Sequence, residues 1–107
     1  MSIMDTDEVD AFTPGDNAGE AILFVFDHLN WDNPGEHLQL LQDKINAYLG
    51  FIESGQYGEQ APNQKFDKFI IRVISMFQPP STVEGYIQAA AAQIQQFGVQ
   101  LQIVPAG

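Results

Sequence analysis

Between Asn33 and Gly55 the chain spells one helix with its start and its stop, and a strand-like apolar run lies on either side. Asn33 is placed to cap, Pro34 suits the first helical position, and Glu36 stands where a capping box requires a carboxylate. Leu38, Leu41, Ile45, Tyr48, Leu49 and Ile52 recur at helical spacing and define one stripe to bury. Gly55, just after Ser54, supplies the left-handed stop. A helix joining two strands is a crossover, which implies a parallel pair with right-handed connection.

The remaining segments complete this plan. Val9 to Phe12 is a short strand-like stretch, Pro14-Gly15-Asp16-Asn17 has turn chemistry, and Ala21 to Phe26 is apolar without alternation. Together they predict a hairpin. Residues 55–65 are polar and broken by Gly and Pro, hence a loop. Phe69 to Phe77 follows as a strand closed by Pro79-Pro80. Ser81-Thr82-Val83-Glu84 has the form of a second capping box, opening a helix with the apolar line Val83, Ile87, Ala90, Ile94 and Phe97, ended by Gly98. Val99 to Ile103 alternates cleanly, as a strand with one wet face does.

The order is therefore ββαβαβ. It predicts an α/β two-layer sandwich: a four-stranded mixed sheet in the order 1-2-3-4, strand 1 antiparallel at an edge, and both helices on one face. The 107 residues suit a single domain over 1–107, which would bury roughly 65% of its unfolded surface. Hydrophobic residues make up 45% of the chain, enough for a core of that kind.

Two helices on one side leave the other side of the sheet open. Strand 2 is nevertheless apolar at both parities, and strand 3 sets Ile70, Ile74 and Met76 opposite Phe69, Ile71 and Val73. Strands hydrophobic on both sides normally have both faces covered. A second copy of the chain is the simplest cover, making Ile70, Ile74 and Met76 a self-association face of a homodimer. A partner protein or the 55–65 loop would serve too, and helices split between the two faces would remove the need.

Charge narrows the partners. The formal net charge is -10, with ten acidic and no basic side chains in the first 43 residues; Lys44, Lys65, Lys68 and Arg72 all come later. Such a field repels phosphate backbones and anionic headgroups, which argues against nucleic acid and membrane surfaces. It suits a basic protein partner, met by Asp5, Asp7, Glu8, Asp10, Asp16 and Glu20, although solubility alone is served by the same charge. No cysteine is present, no signal peptide opens the chain, and no apolar run approaches a membrane span. A cytoplasmic protein is the expectation.

Chemistry has less to work with. Asp27, His28, Trp31 and His37 gather at the carboxyl end of strand 2 where it runs into the first helix, a position α/β sheets favour for ligands. Asp27 and His28 are adjacent, so on a strand they point to opposite faces and share a proton only if the strand has ended. Local roles fit them better: Asp27 binding loop amides, His28 half-buried, Trp31 packing over the helix start. Asp5, Asp7 and Asp10 lack calcium-loop spacing, and His28 and His37 do not share a helix face, so no metal is expected. No nucleophile elbow and no phosphate-cradling glycine loop occurs, and no cofactor is implied. The reading is a non-enzymatic protein-binding, self-associating domain; a small enzyme or ligand binder at the strand 2–helix 1 junction is its rival.

Val9-Asp10, the segment Asp27-His28-Leu29-x-Trp31, and the helix text Leu40-Leu41-Gln42-x-Lys44-Ile45-Asn46-Ala47-Tyr48-Leu49-x-Phe51-Ile52-Glu53-Ser54-Gly55-Gln56 resemble a family of small bacterial proteins known only as a domain of unknown function. The resemblance covers most of the chain and is strongest over residues 1–56. It implies a stand-alone bacterial protein and brings no activity, ligand or catalytic residue with it.

Overall fold

The computed structural model describes residues 11–15, 17, 19–55 and 66–106. Its elements are β1 (Ala11–Pro14), β2 (Glu20–Asp27), α1 (Pro34–Ser54), β3 (Lys68–Ser75), a 3-10 turn (Ser81–Val83), α2 (Glu84–Gln95) and β4 (Val99–Pro105). The sheet order is β1-β2-β3-β4. β1 lies antiparallel to β2, with Phe12 opposite Leu23, while β2, β3 and β4 are parallel, with Leu23, Ile71 and Leu101 in register. This is the ββαβαβ two-layer arrangement that the sequence predicts.

Boundaries differ where turn chemistry was read from residue type alone. Pro14 ends β1 instead of opening the turn, which an edge strand tolerates because the missing N–H costs little there. Val9 and Asp10 lie outside the described residues, as does the expected loop from residue 56 onward. The hairpin turns through Gly19 at φ 78, where a Cβ would stand 2.5 Å from the Asp67 carboxylate. Only glycine meets both demands.

α1 begins and ends as expected. The Asn33 side chain accepts from the Glu36 N–H at 3.3 Å and donates to the Glu36 carboxylate at 3.1 Å. Gly55 adopts φ 75 and donates to the Ile52 carbonyl. The buried stripe, however, is His37, Leu41, Lys44, Ile45, Tyr48 and Phe51, rotated from the expected line; Leu38, Leu49 and Ile52 are half-buried. Two of its members, His37 and Lys44, are basic, so hydrophobicity alone misplaces its centre.

The second capping box does not form. Ser81–Val83 takes a 3-10 turn in which Val83 donates to the Pro80 carbonyl, and no side chain caps α2. Backbone i→i+3 bonding tightens this start and takes the place of a side-chain cap. α2 closes at Gln95, so Phe97 leaves the expected apolar line and stands 58% exposed, while Val83 and Ile94 are buried. β3 likewise stops at Ser75, before Met76 and Phe77.

Residues Ala21, Leu23 and Val25 of β2, Phe69, Ile71 and Val73 of β3 and Val99 of β4 form one core with Leu41, Ile45, Tyr48 and Phe51 of α1 and Ile94 of α2. Both helices therefore share one side of the sheet. Each buried aliphatic side chain contributes about 1.5–3 kcal/mol. The opposite parity of the strands, including Ile22, Phe24, Phe26, Ile70, Arg72, Ile74, Gln102 and Val104, forms the side without helices.

Candidate functional site

The carboxyl ends of β2 and β3 meet the start of α1 in a knot of hydrogen bonds. The strand delivers Asp27 inward because its parity follows Leu23 and Val25, and α1 delivers His37 one turn after the Asn33 cap. Asp27 Oδ2 and His37 Nε2 are 2.6 Å apart, both side chains buried. The other ring nitrogen, Nδ1, lies 2.9 Å from the Asn30 carbonyl oxygen. A carbonyl only accepts, so Nδ1 carries a proton toward Asn30, and the contact with Asp27 must hold a second one. Asp27 Oδ1 accepts from the Leu29 N–H at 3.1 Å. The whole pair is consumed internally.

Trp31 closes the knot. Its ring stacks on the His37 imidazole with centroids 3.6 Å apart and planes 15° from parallel. Its indole N–H donates to the Phe77 carbonyl at 3.1 Å, which also accepts from the Ser75 hydroxyl at 2.7 Å. The Met76 N–H reaches the Asp27 carbonyl at 3.0 Å. The tip of β3 is thereby fastened to the end of β2 and the start of α1.

Of the four expected junction residues, Asp27, Trp31 and His37 come together and His28 does not. His28 is exposed, not half-buried, and the partner of Asp27 is His37, ten residues on. His28 makes no hydrogen bond to the Asp27 carboxylate but lines a shallow depression of about 410 Å³ together with His37, Asn30, Glu36, Leu40 and Phe77. A larger hollow of about 800 Å³ lies at the ends of β3 and β4 against the start of α2, lined by Met76, Glu84, Ile87, Ile103 and Val104 among others. Among the described residues no three His, Asp or Glu side chains are grouped to hold a metal ion, and no helix is long and apolar enough to cross a membrane.

The open side of the sheet carries a row the sequence reading passed over. Phe24 and Phe26 stack with centroids 6.3 Å apart, the Arg72 guanidinium lies 5.9 Å over the Phe24 ring, and Arg72 Nε donates to Gln102 Oε1 at 3.0 Å. Of the residues expected there, Ile70 is only 7% exposed and has little surface left, Ile74 is half-buried, and Met76 is 62% exposed just beyond the strand. Phe26, 39% exposed, joins them. Strict alternation from Ile22 places Phe24 and Phe26 on this side, so the signal was present. Of the expected acidic surface, Asp5, Asp7, Glu8, Asp10 and Asp16 lie outside the described residues. Glu20 is described, and its carboxylate accepts from the Asn17 amide at 3.3 Å.

No curated protein and no solved structure matches this chain. A family model matches residues 1–106, and the chain with its knotted strand–helix junction and open-sided sheet accordingly belongs to DUF6572, a family of unknown function.

Proposed function

We propose that this chain is a non-enzymatic protein-binding domain that associates with a second copy of itself through the open side of its sheet. The observation that carries the reading is the apolar row Phe24, Phe26, Ile74 and Val104 on a side that neither helix covers. Its charge favours a like copy. Among the described residues of the sheet, the charged side chains at this parity are Lys68, Arg72 and Glu20, so the face does not share the strongly acidic character of a chain of net charge -10. Two such faces bury apolar surface against one another.

The internal use of Asp27 and His37 supports a structural role for the junction over a catalytic one. Light scattering on the purified chain should report a dimer. Met76→Glu and Phe26→Glu, both at exposed positions, should weaken it at least about tenfold with the circular dichroism unchanged. A monomer at every concentration where the fold persists overturns the reading.

The acidic N-terminal stretch adds a second partner, a basic protein whose association the chain's field would accelerate. Small acidic domains that block a cationic protein work through such fields.

A further inference from the structure

Every charged side chain of this protein lies at or before Glu84; from Gly85 to Gly107 there is none. That uncharged stretch builds β4 and all of α2 but its first residue, Glu84, in a molecule whose net charge is -10. β4 is the outermost strand of the sheet, and among the described residues it pairs with β3 alone. Natural edge strands are blunted by charge, by proline or by being short. β1, the other edge, has four residues and ends in Pro14. β4 has seven, without a charge, and its proline comes only at the end.

The backbone hydrogen bonds show which groups of β4 are turned away from β3 and have no partner among the described residues. Ala106 donates to Ser75 and Phe69 donates to Gly98, so the even-numbered residues of β4 turn their backbone groups toward β3. Val99, Leu101 and Ile103 therefore turn N–H and C=O outward. Beside them the same uncharged stretch exposes Tyr86 (69%) and Phe97 (58%).

We infer that a second copy of this chain adds to β4 along this edge, β4 antiparallel to β4 about a two-fold axis, joining two sheets into one of eight strands. The register follows from the backbone. Centring the pair on Leu101 sets Val99 opposite Ile103 and uses all three outward-turned residues. Pro105, which has no N–H to give, overhangs. Gln100 of one copy then faces Gln102 of the other in a non-hydrogen-bonded pair. A like copy is the occupant because β4 itself carries no charged side chain, so two copies of a chain of net charge -10 meet here without like charges on the paired strands. A basic segment would find no counter-charge here.

This goes beyond the open-side reading, since it concerns the rim of the sheet and not its face. With two-fold axes at both surfaces, the assembly closes as a tetramer where the axes intersect at right angles and extends as an open array where they do not.

The chain has no cysteine, so introduced thiols report cleanly. Gln100→Cys and Gln102→Cys proteins are oxidised separately and after mixing. Non-hydrogen-bonded antiparallel pairs bring Cα atoms to about 4.5 Å, within disulfide reach. The mixture should give a covalent heterodimer in at least about fivefold greater yield than either protein alone. Equal yields in all three samples, a product from Gln102→Cys alone, or none at all overturns the inference. The same samples carrying Met76→Glu separate the two readings. A cross-link that survives while that substitution leaves the assembly constants unchanged keeps the edge and removes the open face. Dissociation by Met76→Glu with no cross-link in the mixture does the reverse.

Discussion

At the level of single residues, the Asp27–His37 contact sets the chemistry of the junction. Both ring nitrogens of His37 face acceptors, the Asn30 carbonyl and the Asp27 carboxylate. Asparagine at position 27 can replace the shared proton with an amide N–H donated to Nε2, while its oxygen still receives the Leu29 N–H. Asp27→Asn should therefore cost about 1 kcal/mol or less, whereas Asp27→Ala strands the imidazole in the interior and should cost about 3–5 kcal/mol. Urea unfolding of the two variants checks this; equal losses would mean that the carboxylate's charge, and not its geometry, matters. Lys44 shows how a polar residue can belong to a core. It is fully buried on α1, its ammonium 5.5 Å from the centre of the Tyr48 ring, and the Tyr48 hydroxyl donates to the Phe24 carbonyl. Apolar spacing cannot find such a residue, because the stripe it completes is only partly hydrophobic. Asp27 and His37 are both junction residues in the sequence, but their pairing is not legible there, since only the fold brings the tenth residue after Asp27 back to it.

The elements differ in how much of them local chemistry decides. α1 carries its own start and stop, and both are used as the residue types require. α2 carries an equally good capping pattern that is not used, because a 3-10 turn after Pro79-Pro80 occupies its place. A paired substitution tests that contrast. Asn33→Ala should cost about 1 kcal/mol, and Ser81→Ala should stay within about 0.5 kcal/mol of the parent, both read by denaturant unfolding. Strand order and direction were legible for a different reason: right-handed crossovers leave few ways to lay four strands between two helices. Strand ends were not legible. Pro14, Met76 and Phe77 have strand-like or turn-like side chains, yet their places are set by the hairpin register and by the Met76 bond to Asp27. The fold and the outline of the junction could thus be read from the chain, while the pairing inside the junction and the Phe24–Arg72–Gln102 row required coordinates.

For the molecule as a whole, the uneven charge makes salt act in two opposed directions. Copies of a chain with net charge -10 repel, so raising the salt from about 0.02 M to 0.5 M should tighten self-association as the Debye length shrinks from about 20 Å to under 5 Å. Sedimentation equilibrium across that series measures it, and a constant that weakens with salt would mean that ion pairs hold the copies together. A basic partner would show the opposite trend, its on-rate falling steeply with salt.

The parallel pairing of β2 with β3 also constrains how the chain acquires its structure. All of α1 separates the two strands, whereas β1 and β2 are joined by a short turn. The hairpin has a small loop to close and α1 can wind locally, but the centre of the sheet forms only by long-range contact. During synthesis β2 leaves the ribosome well before β3, its parallel neighbour, exists. A run as apolar as Ala21–Phe26 must then wait in an acidic nascent segment, whose mutual repulsion between chains is its protection against sticking to the next one.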